Sequence, residues 1–206
     1  MTSVARIVNT VHVAAAVPPD TRARLLGEAR DLYLATGPAG FSLREVARRS
    51  GVSAAAVYRH YDGKDALLAA VCEEGFRVFS SYLLRALEEK TPLARLRAAG
   101  DHYRRFALEN PRDYRVIFMT DTDERRRPTK QASPTFQFLV DRVTECMKSR
   151  DLARGDASEL AAVIWAHVHG LVSLRLCGHL AAAGDDATFA RFFRASTDRL
   201  LAGMAR

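Results

Sequence analysis

Between residues 58 and 64 the chain carries Tyr58, Arg59, His60, Tyr61 and Lys64: two polar-tipped rings, a guanidinium, an imidazole and an ammonium. Groups of this kind donate to phosphate oxygens, and their crowding into two helical turns suits a polyanionic backbone better than any covalent chemistry. Ser42 and Ser53 add hydroxyls just upstream, and Arg44 adds a fork that can hold a guanine edge through two bonds. A second constellation lies far downstream, where Trp165, His169, Val172 and Leu176 share one helical face and set an imidazole among apolar neighbours.

The first group needs elements to hold it. Ser42 and Glu45 have the spacing of a reciprocal capping box, which predicts a helix beginning near Leu43 with Leu43, Val46 and Ala47 as its buried stripe. Gly51 falls where the chain must reverse, and a residue without Cβ reaches positive φ at little cost. Ser53 then caps a second helix propagated by Ala54, Ala55, Ala56 and Val57, and Asp62-Gly63-Lys64 starts a third. Two short helices about a glycine turn, with phosphate-competent groups just after the second, form the pattern of a helix-turn-helix DNA reader.

These residues resemble the TetR family of bacterial transcription regulators. The likeness is carried by Ser42-x-Arg44-x-Val46-Ala47, then Gly51-Val52-Ser53, Val57-Tyr58, His60-Tyr61, Lys64 and Leu67. Upstream, Leu25, Leu26, Ala29, Leu32 and Tyr33 form one apolar face before Gly37-Pro38, as expected of the family's first helix. The resemblance implies that Arg44 enters the groove and that Ala54, Ala55 and Ala56 face the bases. Ser42, Tyr58, Arg59, His60 and Lys64 would fix the backbone, with Tyr61 in the same basic-aromatic cluster. Alanines touch thymine methyls but cannot hydrogen-bond, so specificity would rest on Arg44, Ser53 and DNA shape.

The remainder predicts an all-α fold, with proline and glycine as punctuation and no strand alternation. Expected are a mobile arm over 1–20 able to touch DNA through Arg6, a helix-turn-helix domain over 21–66, and a helical ligand-binding and dimerisation domain over 67–206. A long helix from Lys64 to Glu89 presents Leu67, Leu68, Val71, Cys72, Phe76, Phe79, Leu83 and Leu87. The next opens at Thr91-Pro92 with Leu93, Leu96, Ala99, Tyr103, Phe106 and Ala107 inward and ends at Asn110-Pro111. Tyr114, Ile117 and Phe118 make a short helix, and 120–133 is a solvated charged loop in which Arg125, Arg126 and Arg127 are offset by Asp121, Asp123 and Glu124. Helices are expected over 134–150, from Ala157 to about Leu180, and from Asp186 to about Leu201. The middle one of these three is apolar nearly all round, which calls for burial on several faces. The last two helices are therefore the expected twofold interface.

Glu109-Asn110-Pro111 with Tyr114-Arg115 and Phe118, and Ile164-Trp165-Ala166 with His169-Gly170-Leu171, resemble TetR-type regulators with a Trp-His-Gly C-terminal domain. That resemblance assigns the C-terminal half to ligand sensing and dimerisation. Candidate ligand contacts are Tyr103, Phe106, Tyr114, Phe118, Phe136, Val140, Met147, Trp165 and His169. His169 fits equally a buried ring bonded to a neighbour such as the Tyr114 hydroxyl. The implied partners are a pseudo-palindromic double-stranded operator, a small-molecule inducer and a second copy of the chain, with the protein acting as a ligand-released repressor.

Other chemistries fit poorly. His167-x-His169 and Cys177-x-His179 place their side chains about 200° apart on a helix, so neither pair can chelate one metal ion. His102 near Asp101 and Cys72 beside Glu73 lack a third group to complete a catalytic set, and no glycine loop cradles phosphate, so neither an enzyme nor a cofactor is expected. Three cysteines without a C-x-x-C pair indicate no disulfide framework and suit a reducing cytoplasm. Val8–Val17 is too short and too polar to span a bilayer, and no later stretch is expected to do so. A net charge of +7 over 206 residues agrees with a polyanionic partner.

Overall fold

The computed structural model describes residues 21–119, 133–180 and 184–205, and every regular element among them is helical. The elements are α1 (Thr21–Gly40), α2 (Leu43–Arg49), α3 (Ala54–His60), α4 (Gly63–Leu84), α5 (Pro92–Glu109), α6 (Pro111–Phe118), α7 (Pro134–Lys148), α8 (Ala157–Leu176) and α9 (Asp186–Met204). The expected N-terminal arm and nearly all of the expected charged loop lie outside the described residues.

Local chemistry fixes most helix ends. Thr91, Asp156 and Asp185 each accept backbone N–H groups at the starts of α5, α8 and α9. Pro92, Pro111 and Pro134 occupy first-turn positions where a missing N–H costs nothing. The regular path of α1 breaks at Gly37, whose φ of +66° precedes Pro38. Two ends differ from expectation: α4 gives way at Leu84 to one tighter turn, Arg85–Glu88, which leaves Leu87 on the surface, and α8 stops at Leu176.

Three apolar clusters hold these helices together. One joins α1, α2, α3 and the first half of α4 through residues such as Leu25, Val46, Val57 and Leu67, and it takes in Val116 from α6. α4 crosses 66/67 unbroken, and Leu67, Leu68 and Val71 belong to this N-terminal cluster. A second gathers Phe79, Tyr103, Phe106, Tyr114, Val172 and Phe193 from α4, α5, α6, α8 and α9. The third packs Leu96, Val143, Cys146, Ile164 and Leu201 from α5, α7, α8 and α9.

One sequence expectation is corrected here. α8 is long and apolar enough to cross a membrane by length and composition, with a mean hydropathy of 1.3. It buries only Ala161, Ile164, Val168 and Val172 fully, and sends Val163, Trp165 and Leu174 outward. Its apolar character therefore exceeds what the described chain covers.

Candidate functional site

α2 ends in a paired closure: the Gly51 N–H donates to the Arg48 carbonyl at 3.2 Å, and the Val52 N–H donates to the Ala47 carbonyl at 3.0 Å. Gly51 sits at φ +66°, the left-handed position that completes this type of helix stop. The reversal seats α3 against α2 through Val57, which is fully buried, and points Ser53, Ala55, Tyr58, Arg59 and His60 outward. Ser53 caps α3, its Oγ accepting from the Ala56 N–H at 3.1 Å.

The expected Ser42–Glu45 box does not form, since the Ser42 side chain makes no cap bond. Glu45 instead accepts from Arg48 at 2.5 and 2.8 Å and from Arg49 at 2.9 Å. Two guanidiniums within one helical turn outcompete a single backbone N–H. Arg48, and after it Arg49, hold the Glu45 carboxyl down to about 2. This sorts the basic residues: Arg48 and Arg49 are offset by Glu45, whereas Arg44 and Arg59 are exposed and make no ion pair among the described residues.

Two members of the basic-aromatic cluster are placed differently from expectation. Tyr61 is buried in the N-terminal core and is not a surface group for phosphate, because the chain turns inward there to start α4. The Lys64 ammonium donates to the Pro38 carbonyl and lies 5.7 Å from the centre of the Phe41 ring, so it also ties α4 to the end of α1.

A second feature lies between α4, α5, α6, α7, α8 and α9: a cavity of about 220 Å³. Of the expected ligand contacts, Tyr103, Phe118, Phe136 and Trp165 line it. Phe106 and Tyr114 are fully buried in the core behind it, while Val140 and Met147 pack into the third cluster. His169 stands one layer back, its Nδ1 2.8 Å from the Tyr103 hydroxyl and 3.1 Å from that of Tyr114, which lies 2.9 Å from Ser173 Oγ. Burial lowers the His169 pKa, so its neutral ring can accept at Nδ1 from tyrosines whose own pKa values burial raises. His167 faces elsewhere, with Nε2 3.3 Å from Ser196 Oγ.

The sequence-based selection missed walls from α4 and α9. Phe76, Phe79 and Leu83 line the cavity on a helix whose apolar face was read as a connector, and Thr197 and Leu201 complete it from the last helix. The available signal was Thr197 itself, a polar residue set between Phe193 and Leu201 at intervals of four. No wall residue carries a formal charge.

The N-terminal arrangement defines a DNA-binding transcription regulator of the helix-turn-helix kind. Residues 25–71 match the profile of bacterial regulatory proteins of the tetR family, and residues 96–200 match the tetracyclin repressor-like C-terminal domain. The chain belongs to the TetR family, whose members compared here are regulators and not enzymes. An HTH-type transcriptional repressor of Mycobacterium tuberculosis is 34% identical over 86 residues, spanning 42% of this chain and 44% of that protein. The match thus covers less than half of that relative's length. The HTH-type transcriptional activator FasR of Mycolicibacterium smegmatis is 29% identical over 133 residues, 64% of this chain and 60% of FasR. A solved protein of unknown function from Rhodococcus sp. RHA1 superposes with a TM-score of 0.72 at 29% identity, covering 97% of this chain and all (100%) of that one. A TetR-like transcriptional regulator from the same organism shares the fold, with a TM-score of 0.71 at 19% identity over 91% of this chain and 100% of its own.

Proposed function

We propose that this regulator works in the cytoplasm as a homodimer that holds a pseudo-palindromic operator through two copies of α3 and releases it when a small molecule enters the cavity. In this scheme residues 21–66 read DNA and 67–206 sense and dimerise. The observation that carries it is the position of Ile117. This side chain packs against both the N-terminal core and the second cluster and also lines the cavity, while its neighbours Val116 and Phe118 belong to the first core and to the wall respectively. α4 makes a parallel connection, with Val71 in the N-terminal core and Phe76 in the wall.

Ion pairs reinforce the link. Arg30 on α1 reaches Asp113 on α6 at 2.9 Å, and Arg112 on α6 returns to Asp31 on α1 at 2.7 Å. A molecule that prefers a shifted α4–α6 arrangement would carry α1 and the DNA-reading helices with it, and one with equal affinity for both arrangements would shift nothing. The apolar groups that α8 and α9 leave outward, Val163, Leu174 and Phe192, support those helices as the dimer face.

Repression is favoured by the likeness to the mycobacterial repressor, and the likeness to FasR supports activation as the second reading. A gel shift on the DNA upstream of the chain's own gene, with and without hydrophobic small molecules, tests the scheme, and a promoter fusion separates repression from activation. The scheme fails if purified dimer ignores that DNA at low salt, or if no molecule that occupies the cavity alters the shift.

A further inference from the structure

The cavity combines an uncharged, largely aromatic wall with one buried hydroxyl that has no partner. Thr197 on α9 is 6% exposed, lines the cavity, and its Oγ1 makes no hydrogen bond among the described residues. Such an orphaned group costs free energy, so its retention in a wall otherwise built from Phe79, Leu96, Phe118 and Ile164 points to an occupant that satisfies it. The Tyr103 hydroxyl, the other deep polar atom of the wall, already pairs with His169. Ser133 and Thr135 supply the remaining polar side chains of the lining, on the segment that leads into α7.

Size and charge narrow the occupant further. A volume of about 220 Å³ accommodates a compact molecule of on the order of ten non-hydrogen atoms, and apolar cavities of that scale accept small aromatics. An ion would enter without a counter-charge in the wall and would lose its hydration uncompensated.

We propose that the effector is a small neutral aromatic or alicyclic molecule bearing one hydroxyl or carbonyl, and that Thr197 is the group that recognises this oxygen. The assignment takes the cavity as the effector site, as proposed above. It excludes carboxylates and acyl-nucleotide heads from the cavity interior.

Trp165, the one tryptophan of the chain, lines the cavity and supplies a fluorescence reporter. Titration of the full-length protein with 4-propylphenol, propylbenzene and 4-propylbenzoate, followed by Trp165 quenching and by calorimetry, compares the same body with a hydroxyl, without one and with a charge. The phenol should bind about tenfold more tightly than the hydrocarbon, the step expected for one net hydrogen bond, and the carboxylate should not bind detectably. Thr197→Val should bring phenol and hydrocarbon to equal affinity while leaving the hydrocarbon's unchanged, and Thr197→Ser should retain the preference. Equal binding of phenol and hydrocarbon in the unaltered protein, or saturable binding of the carboxylate, overturns the assignment while leaving the cavity as the effector site. Absence of binding by all three probes overturns both.

Discussion

Arg44 and Lys64 look alike in the sequence and part company in the structure. Arg44 projects from α2 without an ion pair among the described residues, free to put its fork on a base edge, whereas Lys64 is anchored to the Pro38 carbonyl. Arg44→Ala should therefore cost about 1–3 kcal/mol on the cognate operator and little on random duplex. Lys64→Ala should weaken both duplexes alike, flatten the salt dependence, and lower the melting temperature as well, because it detaches α4 from the end of α1. Anisotropy titrations on the two duplexes across a salt series, with thermal melts, separate these outcomes. Equal losses on both duplexes for Arg44→Ala would remove it from base reading. The buried imidazoles add a pH signature: burial lowers the pKa values of His102, His167 and His169, so the unfolded chain takes up protons first as pH falls below about 6.5. Stability should accordingly be full above that value and decline below it, through the window between the unfolded and folded pKa values. His169→Gln should shallow the decline in urea midpoints measured from pH 7.5 to 5, and an unchanged slope would show that His169 is not one of the groups responsible.

At the scale of elements, the helices were legible because their ends are decided locally. Thr91-Pro92, Asn110-Pro111 and Ser53 mark boundaries that need no knowledge of the rest of the chain. Ser42 shows where this fails: the spacing of a capping box is present, but Glu45 is claimed by two arginines of its own helix. Ser53→Ala should thus destabilise the protein by about 1 kcal/mol, while Ser42→Ala should leave denaturation midpoints nearly unchanged and show its effect only in DNA affinity. The reverse order of midpoints would contradict the cap assignment. The cavity was only half legible for the opposite reason. Tyr103, Phe118, Phe136 and Trp165 could be picked out as aromatics, but walls from six helices are assembled by tertiary packing, and no spacing distinguishes Phe79, which lines the space, from Phe106, which is packed behind it. The contact between α4 and α6 is closer than side-chain spacing foretells. A Cβ on Gly75 would fall 2.7 Å from Ile117 Cγ2, so the glycine lets these two helices meet beside the cavity. Gly75→Val should pry them apart at a cost of about 1–3 kcal/mol and blunt the operator's response to effector more than its basal affinity. An unaltered effector response in a folded Gly75→Val protein would take the α4–α6 contact out of the coupling route.

For the whole molecule, the deciding quantity is apolar surface that one chain leaves uncovered. α8 meets its own chain through Ala161, Ile164, Val168 and Val172, yet Leu174 is 44% and Val163 50% exposed, and Phe192 on α9 is 41% exposed. A second copy applied by a twofold axis covers such a face with the same face, which makes the contact self-complementary. Two DNA-reading helices then sit at a fixed separation, and binding of the second to its half-site becomes effectively intramolecular. A charge at the centre of that face should undo both properties together. Phe192→Asp combined with Leu174→Asp should yield a folded monomer by sedimentation, since neither side chain belongs to the fully buried core. Its affinity for an intact operator should fall by about two orders of magnitude, toward that of the dimer for a single half-site. Were the double variant to remain dimeric, the twofold face would have to lie elsewhere. Were it monomeric with undiminished operator affinity, the two copies of α3 would not be acting as a linked pair.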